Sequence, residues 1–171
     1  WIAPNESKTL HYEFVSKRQF FADATVDGVH IRRRYGFPDA RTAQIETTVS
    51  NPEGRTLDPL FQFAVPQAGS RVTVYLQDGT QFSKTSGSPA DSMYPELPFN
   101  DYQRLPYSDQ RIERIELDTP DGVLTIRSAH PATCFFHRNY LRIRPEAQQT
   151  EDGLSFGMLT VQLAEHPSAD A

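Results

Sequence analysis

Arginine and tyrosine alternate with apolar residues along the segment 136–144, and their side chains could hold an anionic ligand. Successive residues of a β-strand point to opposite faces, so residues of equal parity lie in one line. Leu141 and Ile143 are odd positions and are predicted to point into a core. The even positions, which we call the arginine stripe, are Arg138, Tyr140, Arg142 and Arg144.

A second basic face is predicted in the segment 28–35, where His30, Arg32 and Arg34 share one parity opposite Val29 and Ile31. Arginine outnumbers lysine 14 to 3. Its planar guanidinium binds carboxylate or sulfate bidentately and stacks on rings, which favours a ligand carrying uronate or sulfate groups. One alternative stays open, in which the arginines pair across strands with carboxylates on a solvated sheet face. The carboxylates considered are Glu13, Glu46, Glu113 and Glu116.

The segment 85–108 has no alternation, is rich in proline and carries four aromatic residues. Loops of this length are uncommon in compact domains and are usually functional or disordered. Sugars present C–H groups on their faces and hydroxyls at their edges, so rings beside polar groups suit them. Tyr94 and Tyr102 are therefore predicted to stack on sugar rings. The alternative is a loop whose rings cap one end of the domain.

Metal and nucleophile chemistry find little support in the residue spacing. No histidines have the spacing of a zinc site, and neither a Gly-x-Ser-x-Gly motif nor a glycine-rich phosphate loop is present. Cys134 precedes two phenylalanines and is predicted to be a buried apolar residue. No catalytic residue or cofactor is therefore assigned. Calcium alone stays open, because hard cations take oxygen ligands from acidic loops. The acidic residues in or beside the long segment are Asp91, Glu96, Asp101 and Asp109.

The elements that must position these residues are strands, because the dominant hydrophobic period is two. Asp78-Gly79 and Asp121-Gly122 separate alternating segments as tight turns do. No long segment keeps a 3.6-residue period, and the 13 prolines oppose helices, so very little helix is predicted. About ten short strands are predicted, at 9–15, 28–35, 42–50, 60–65, 71–77, 80–84, 111–118, 122–128, 135–144 and 154–163.

Short antiparallel strands must pack as two sheets or close into a barrel to bury one face. We predict an all-β, antiparallel two-sheet sandwich of jelly-roll form. The inward positions are predicted to be Val29, Ile31, Ile45, Thr47, Val49, Phe61, Phe63, Val65, Val72, Val74, Leu76, Ile115, Leu117, Leu124, Ile126, Leu141, Ile143, Leu159, Val161 and Leu163.

The chain length of 171 residues suits one domain, which we place at 1–163. Residues 164–171 are small or polar and are predicted to form a flexible tail or linker. A net charge of −5 argues against a nucleic-acid partner, and no apolar segment is long enough to predict a membrane span.

Three segments carry a resemblance to known domains: ETTVSNPEGRTLDPLFQFAVP, RVTVYLQDGTQFS and RIERIELDTPDGVLTIRS. In their rhythm of strands and turns, the central hundred or so residues resemble the non-catalytic β-sandwich domains of bacterial polysaccharide-degrading enzymes, of the carbohydrate-binding-module kind. The resemblance implies a secreted or cell-surface accessory module with a catalytic partner domain outside this chain.

The favoured function is binding of an acidic or sulfated polysaccharide. Arg138, Tyr140, Arg142, Arg32 and Arg34 are predicted to contact its anionic groups. One alternative is a jelly-roll polysaccharide lyase or glycoside hydrolase, in which His137 or Tyr140 acts as base and Arg138 and Arg142 neutralise a uronate. A second alternative is a structural or assembly domain whose strand edges pair with other copies.

Overall fold

The computed structural model describes residues 10–26, 28–50, 61–64, 70–85, 111–137 and 140–166. Within these ranges the chain forms thirteen β-strands and no helix. The strands are β1 Leu10–Ser16, β2 Gln19–Val26, β3 Val29–Asp39, β4 Thr42–Ser50, β5 Phe61–Ala64, β6 Arg71–Leu76, β7 Gln81–Thr85, β8 Ile112–Thr119, β9 Gly122–Ser128, β10 Ala132–His137, β11 Tyr140–Pro145, β12 Gln148–Thr150 and β13 Gly153–Ala164.

The strands form two antiparallel sheets of unequal size. The larger has the order β1-β2-β3-β4-β13-β9-β8-β6-β7, with β12 paired to β13, and the smaller has the order β10-β11-β5. This confirms the predicted all-β, antiparallel two-sheet architecture. A jelly roll has eight strands, and the jelly-roll form is not confirmed by this arrangement.

The main core lies between the smaller sheet and the β6, β8, β9 and β13 part of the larger one. Alternation sends Leu141 and Ile143 inward from β11, where they meet Ile115 and Ile126 from β8 and β9. A smaller cluster of Val29, Val49 and Phe156 continues the same face toward β3 and β4. The predicted inward positions whose side chains the structure describes are all buried or half-buried. The side chain of Phe63, and Val65, lie outside the described part.

The predicted strand count was wrong in two ways. The segment 135–144 is not one strand but two, since β10 and β11 pair as a hairpin that matches Phe136 with Leu141. Of the arginine stripe, Tyr140, Arg142 and Arg144 belong to β11, and Arg138 is outside the described residues. Strands β2 and β12 were not predicted.

The C-terminal end of β13 reaches one residue beyond the predicted domain boundary, to Ala164. The next residue, Glu165, pairs with Arg41. The imidazole Nε2 of His166 lies 2.7 Å from the backbone oxygen of Thr119. Residues 167–171 lie outside the described part of the chain.

Cys134 is buried in the main core, as predicted, with its side chain among residues of both sheets. Burial disfavours the thiolate and raises the pKa of Cys134 from 9.0 to about 12. Because the pKa is higher in the folded state, this thiol's contribution to stability is complete below about pH 9 and is lost as the pH rises toward 12.

We therefore expect Cys134 not to react with iodoacetamide at about pH 8 in native buffer, because its thiol is protonated at that pH and its buried sulfur is inaccessible to the reagent. In concentrated guanidinium chloride the single thiol should react completely, as followed by intact mass. Rapid labelling without denaturant would contradict the burial described above.

Candidate functional site

The two predicted basic faces lie on opposite sides of the molecule. Leu141 and Ile143 are buried against the larger sheet, so Arg142 between them lies on the outward side of the smaller sheet. Arg32 and Arg34 lie on the face of the larger sheet that points away from the core, which we call the outer face. Both layers therefore separate Arg142 from Arg32 and Arg34, and these residues do not form one site.

Several predicted ligand-contacting and ion-binding residues lie outside the part that the structure describes. For Tyr140 only the backbone is described, at the start of β11. The others outside the described residues are Arg138, Tyr94, Tyr102, Asp91, Glu96, Asp101 and Asp109.

Arg32 and Arg34 are engaged with carboxylates on other strands of the larger sheet, Glu13 of β1 and Glu46 of β4. The Nη2 of Arg32 donates to Glu13 Oε2 at 2.9 Å, and its guanidinium carbon lies 3.9 Å from the centroid of the Phe21 ring. Arg34 donates to Glu46 Oε2 at 3.0 Å. The sequence alternative of cross-strand pairing is thus present at both residues. Their charges are largely compensated, and such exposed pairs contribute only a few tenths of a kcal/mol to about 1 kcal/mol each.

Arg33 is the functional candidate that sequence reasoning missed. It shares the inner face of β3 with Ile31 and Tyr35, and its Nε donates to Thr47 Oγ1 at 3.1 Å. Its guanidinium carbon lies 5.0 Å from the centroid of the Phe61 ring. Within the described ranges no carboxylate forms an ion pair with it. The sequence contains a pattern that indicates Arg33, because three consecutive arginines in a strand must place at least one side chain on each face of the sheet.

Exposed aromatic rings border Arg33 on the same face. The register aligns Phe14 of β1 with Phe20 of β2, and Phe20 with Tyr35 of β3. The centroids of Phe20 and Tyr35 are 4.5 Å apart, and those of Phe14 and Phe20 are 5.6 Å apart. We call the set the aromatic platform: Tyr12, Phe14, Phe20, Tyr35 and Phe37.

The smaller sheet does not cover this platform. Phe14 is 76% exposed, Tyr12 55% and Phe37 39%, although adjacent rings on the same face of one sheet would ordinarily lie against another layer. Contiguous exposed apolar surface on a folded domain marks an interaction site more often than isolated exposed rings do.

The platform and Arg33 together combine two kinds of recognition. The rings offer apolar contact to the C–H face of a sugar, and the guanidinium offers a charged donor to a carboxylate or sulfate. No set of three or more His, Cys, Asp or Glu side chains among the described residues is arranged to share a metal ion.

Fold and site together define an all-β, two-sheet domain with an exposed aromatic platform beside a half-buried guanidinium. No protein-family model matches the chain, and no curated protein matches it. The described residues contain no helix that is long and apolar enough to span a membrane.

Proposed function

We propose that this domain is a non-catalytic binding module, and that its ligand is a polysaccharide carrying carboxylate or sulfate groups. The proposed binding surface is the aromatic platform with Arg33. The observation that carries the proposal is the position of Arg33, a half-buried cation without a carboxylate partner among the described residues, beside exposed rings.

The rings account for affinity toward the sugar backbone. An exposed Phe14 and Tyr12 present apolar area that a polysaccharide can cover without losing hydrogen bonds to its hydroxyls. Because successive rings come from neighbouring strands about 4.8 Å apart, they form a row that suits an extended chain better than a compact ligand.

The guanidinium accounts for selectivity toward anionic sugars. Its Nε is held by Thr47, which fixes the side chain before a ligand arrives. A fixed, partly desolvated cation interacts more strongly with a carboxylate than a mobile one in water does. Arg32 and Arg34 supply no comparable donor, since Glu13 and Glu46 already engage them.

Arg33→Gln is expected to weaken binding of an acidic polysaccharide by about 10- to 100-fold, the loss typical of one charge-assisted hydrogen bond. The matched control is Arg34→Gln, a neighbouring position on the opposite face, which should bind within about twofold of the parent. Isothermal titration calorimetry with polygalacturonate, alginate and chondroitin sulfate measures both variants, and dextran serves as the neutral polymer.

Affinity for the acidic polymers should also fall as salt is raised, because dissolved ions screen the attraction between exposed charges, with a Debye length of about 8–10 Å at about 0.1–0.15 M salt. Equal losses in the Arg33 and Arg34 variants, or binding of dextran as tight as that of polygalacturonate, would contradict the proposed site. A thermal midpoint near that of the parent shows that the Arg33 variant is folded.

A second candidate function, polysaccharide lyase activity, is favoured by the backbone register of the smaller sheet. That register pairs His137 with Tyr140, and Arg142 follows two residues along β11. A base beside a cation is what abstraction of a proton next to a uronate requires. Incubation with polygalacturonate and alginate tests this function. Ultraviolet absorbance of an unsaturated product that is lost in Tyr140→Phe would support a lyase. If no such absorbance develops, the lyase function is contradicted and binding is the remaining candidate.

A further inference from the structure

A polar depression lies on the outer face of the larger sheet, toward the edge opposite the aromatic platform. It has a volume of about 210 Å³ and lies over strands β6, β7 and β8. The register aligns Thr73 with Ser83 on one side and with Glu116 on the other, so their side chains share this face. The lining residues used below are Arg71, Thr73, Tyr75, Gln81, Ser83 and Glu116.

One wall of the depression is held in place by a connected network. The Tyr75 hydroxyl donates to Glu116 Oε2 at 3.0 Å, and Arg114 Nε donates to Glu116 Oε1 at 2.8 Å. The guanidinium carbon of Arg114 lies 3.6 Å from the centroid of the Tyr75 ring. Side chains fixed in this way lose little conformational entropy when a ligand binds.

The network leaves hydrogen-bonding capacity for a ligand. Each oxygen of a carboxylate can accept about two hydrogen bonds, and the network uses one at each Glu116 oxygen. The hydroxyl oxygens of Thr73 and Ser83 lie 2.7 Å apart, and one of the two hydroxyls donates to the other. The remaining hydroxyl proton and the unused lone pairs are available to a ligand. Gln81 adds an amide, and Arg71 adds a guanidinium with no ion pair to a carboxylate among the described residues.

The protonation states in the network are defined at ordinary pH. Burial acts to raise the pKa of Glu116, but the hydrogen bonds from Arg114 and Tyr75 outweigh it, and the pKa lies below its usual 4.5. The hydrogen bond to Glu116 raises the pKa of Tyr75 above 10.0. Glu116 is therefore an ionised acceptor, and Tyr75 keeps the proton that it donates.

We propose that this depression is a second, separate binding site that takes one neutral, hydroxyl-rich ring such as a pyranose. Its volume is below the roughly 300–1,000 Å³ of pockets for larger ligands, which limits the occupant to a single ring. Sugar hydroxyls both donate and accept, as this lining requires, and Glu116 disfavours an anionic occupant. The site does not depend on Arg33 or the aromatic platform.

The test is nuclear magnetic resonance of the ¹⁵N-labelled chain, titrated with the methyl glycosides of glucose, galactose, mannose and xylose. We expect shifts at the amides of Thr73, Ser83 and Glu116 for at least one sugar. A dissociation constant of about 1–10 mM is expected, since one ring has few atoms with which to bind. Glu116→Gln should weaken this binding about tenfold or more, because the ionised acceptor is lost.

Glu46→Gln is the matched control, a carboxylate on the same outer face that lies outside the depression, and it should leave the titration unchanged. If Glu116→Gln lowers the thermal midpoint strongly, Ser83→Ala serves instead and should weaken binding about threefold or more. Binding that persists in high salt and in Arg33→Gln separates this site from the one proposed above. No shift at these amides with any of the four sugars, or equal loss in the Glu46 variant, would overturn the proposal.

Discussion

Phe61→Ala is expected to lower the free energy of unfolding by about 3–5 kcal/mol, the range for removing a buried aromatic ring from a core. Phe61 is only 2% exposed and stands on β5, where its backbone pairs with Ile143 of β11. Its ring also lies beneath the guanidinium of Arg33. A large loss is expected because the smaller sheet has three strands within the described residues and cannot readily close over the cavity. Equilibrium unfolding in guanidinium chloride measures the change.

Phe14→Ala is the matched control, since it removes the same atoms from a ring that is 76% exposed. It should cost no more than about 1 kcal/mol, the value of its stacking with Phe20. The same variant is expected to weaken polysaccharide binding, because Phe14 belongs to the aromatic platform. Similar stability losses at the two positions would mean that the smaller sheet does not pack on the larger one as described.

Most of the fold follows from alternation, and the exceptions have identifiable causes. Strand β2 was missed because Phe20 and Phe21 are adjacent, which breaks a period of two. The two rings in fact serve opposite faces, with Phe20 against Tyr35 and Phe21 beneath Arg32. The β10–β11 hairpin was predicted as one strand because the two residues between the strands, Arg138 and Asn139, are neither glycine nor proline.

The candidate site was less predictable than the fold. Parity separates Arg32 and Arg34 from the core. It does not tell that Glu46 will lie directly across from Arg34, or that Arg32 will reach Glu13 two strands away, since register is decided by the whole sheet. Nor does it tell which stretch of an inner face the second sheet leaves uncovered. The rings around Arg33 stay exposed because the smaller sheet, as described, has too few strands to cover the whole inner face of the larger sheet.

Gly153→Ala is expected to lower the free energy of unfolding by more than about 3 kcal/mol. Gly153 has a φ of +145°, which side-chain-bearing residues rarely adopt, and it begins β13 directly opposite Ser50 of β4. A Cβ atom there would lie 2.1 Å from the backbone oxygen of Val49. That oxygen belongs to a strand inside the larger sheet, so neither side can move without breaking the β4–β13 pairing. Denaturant unfolding and the yield of folded protein measure the effect.

Gly79→Ala is the control that separates the two causes of this loss. Gly79 also has a positive φ, +86°, but a Cβ atom at this turn would have no neighbour within 4 Å. It should therefore cost only the backbone strain of about 1–2 kcal/mol. A Gly153 variant no less stable than the Gly79 variant would show that β13 does not approach β4 as closely as described. Because β13 lies between β4 and β9, such a result would also contradict the continuity of the larger sheet, on which both the aromatic platform and the polar depression lie.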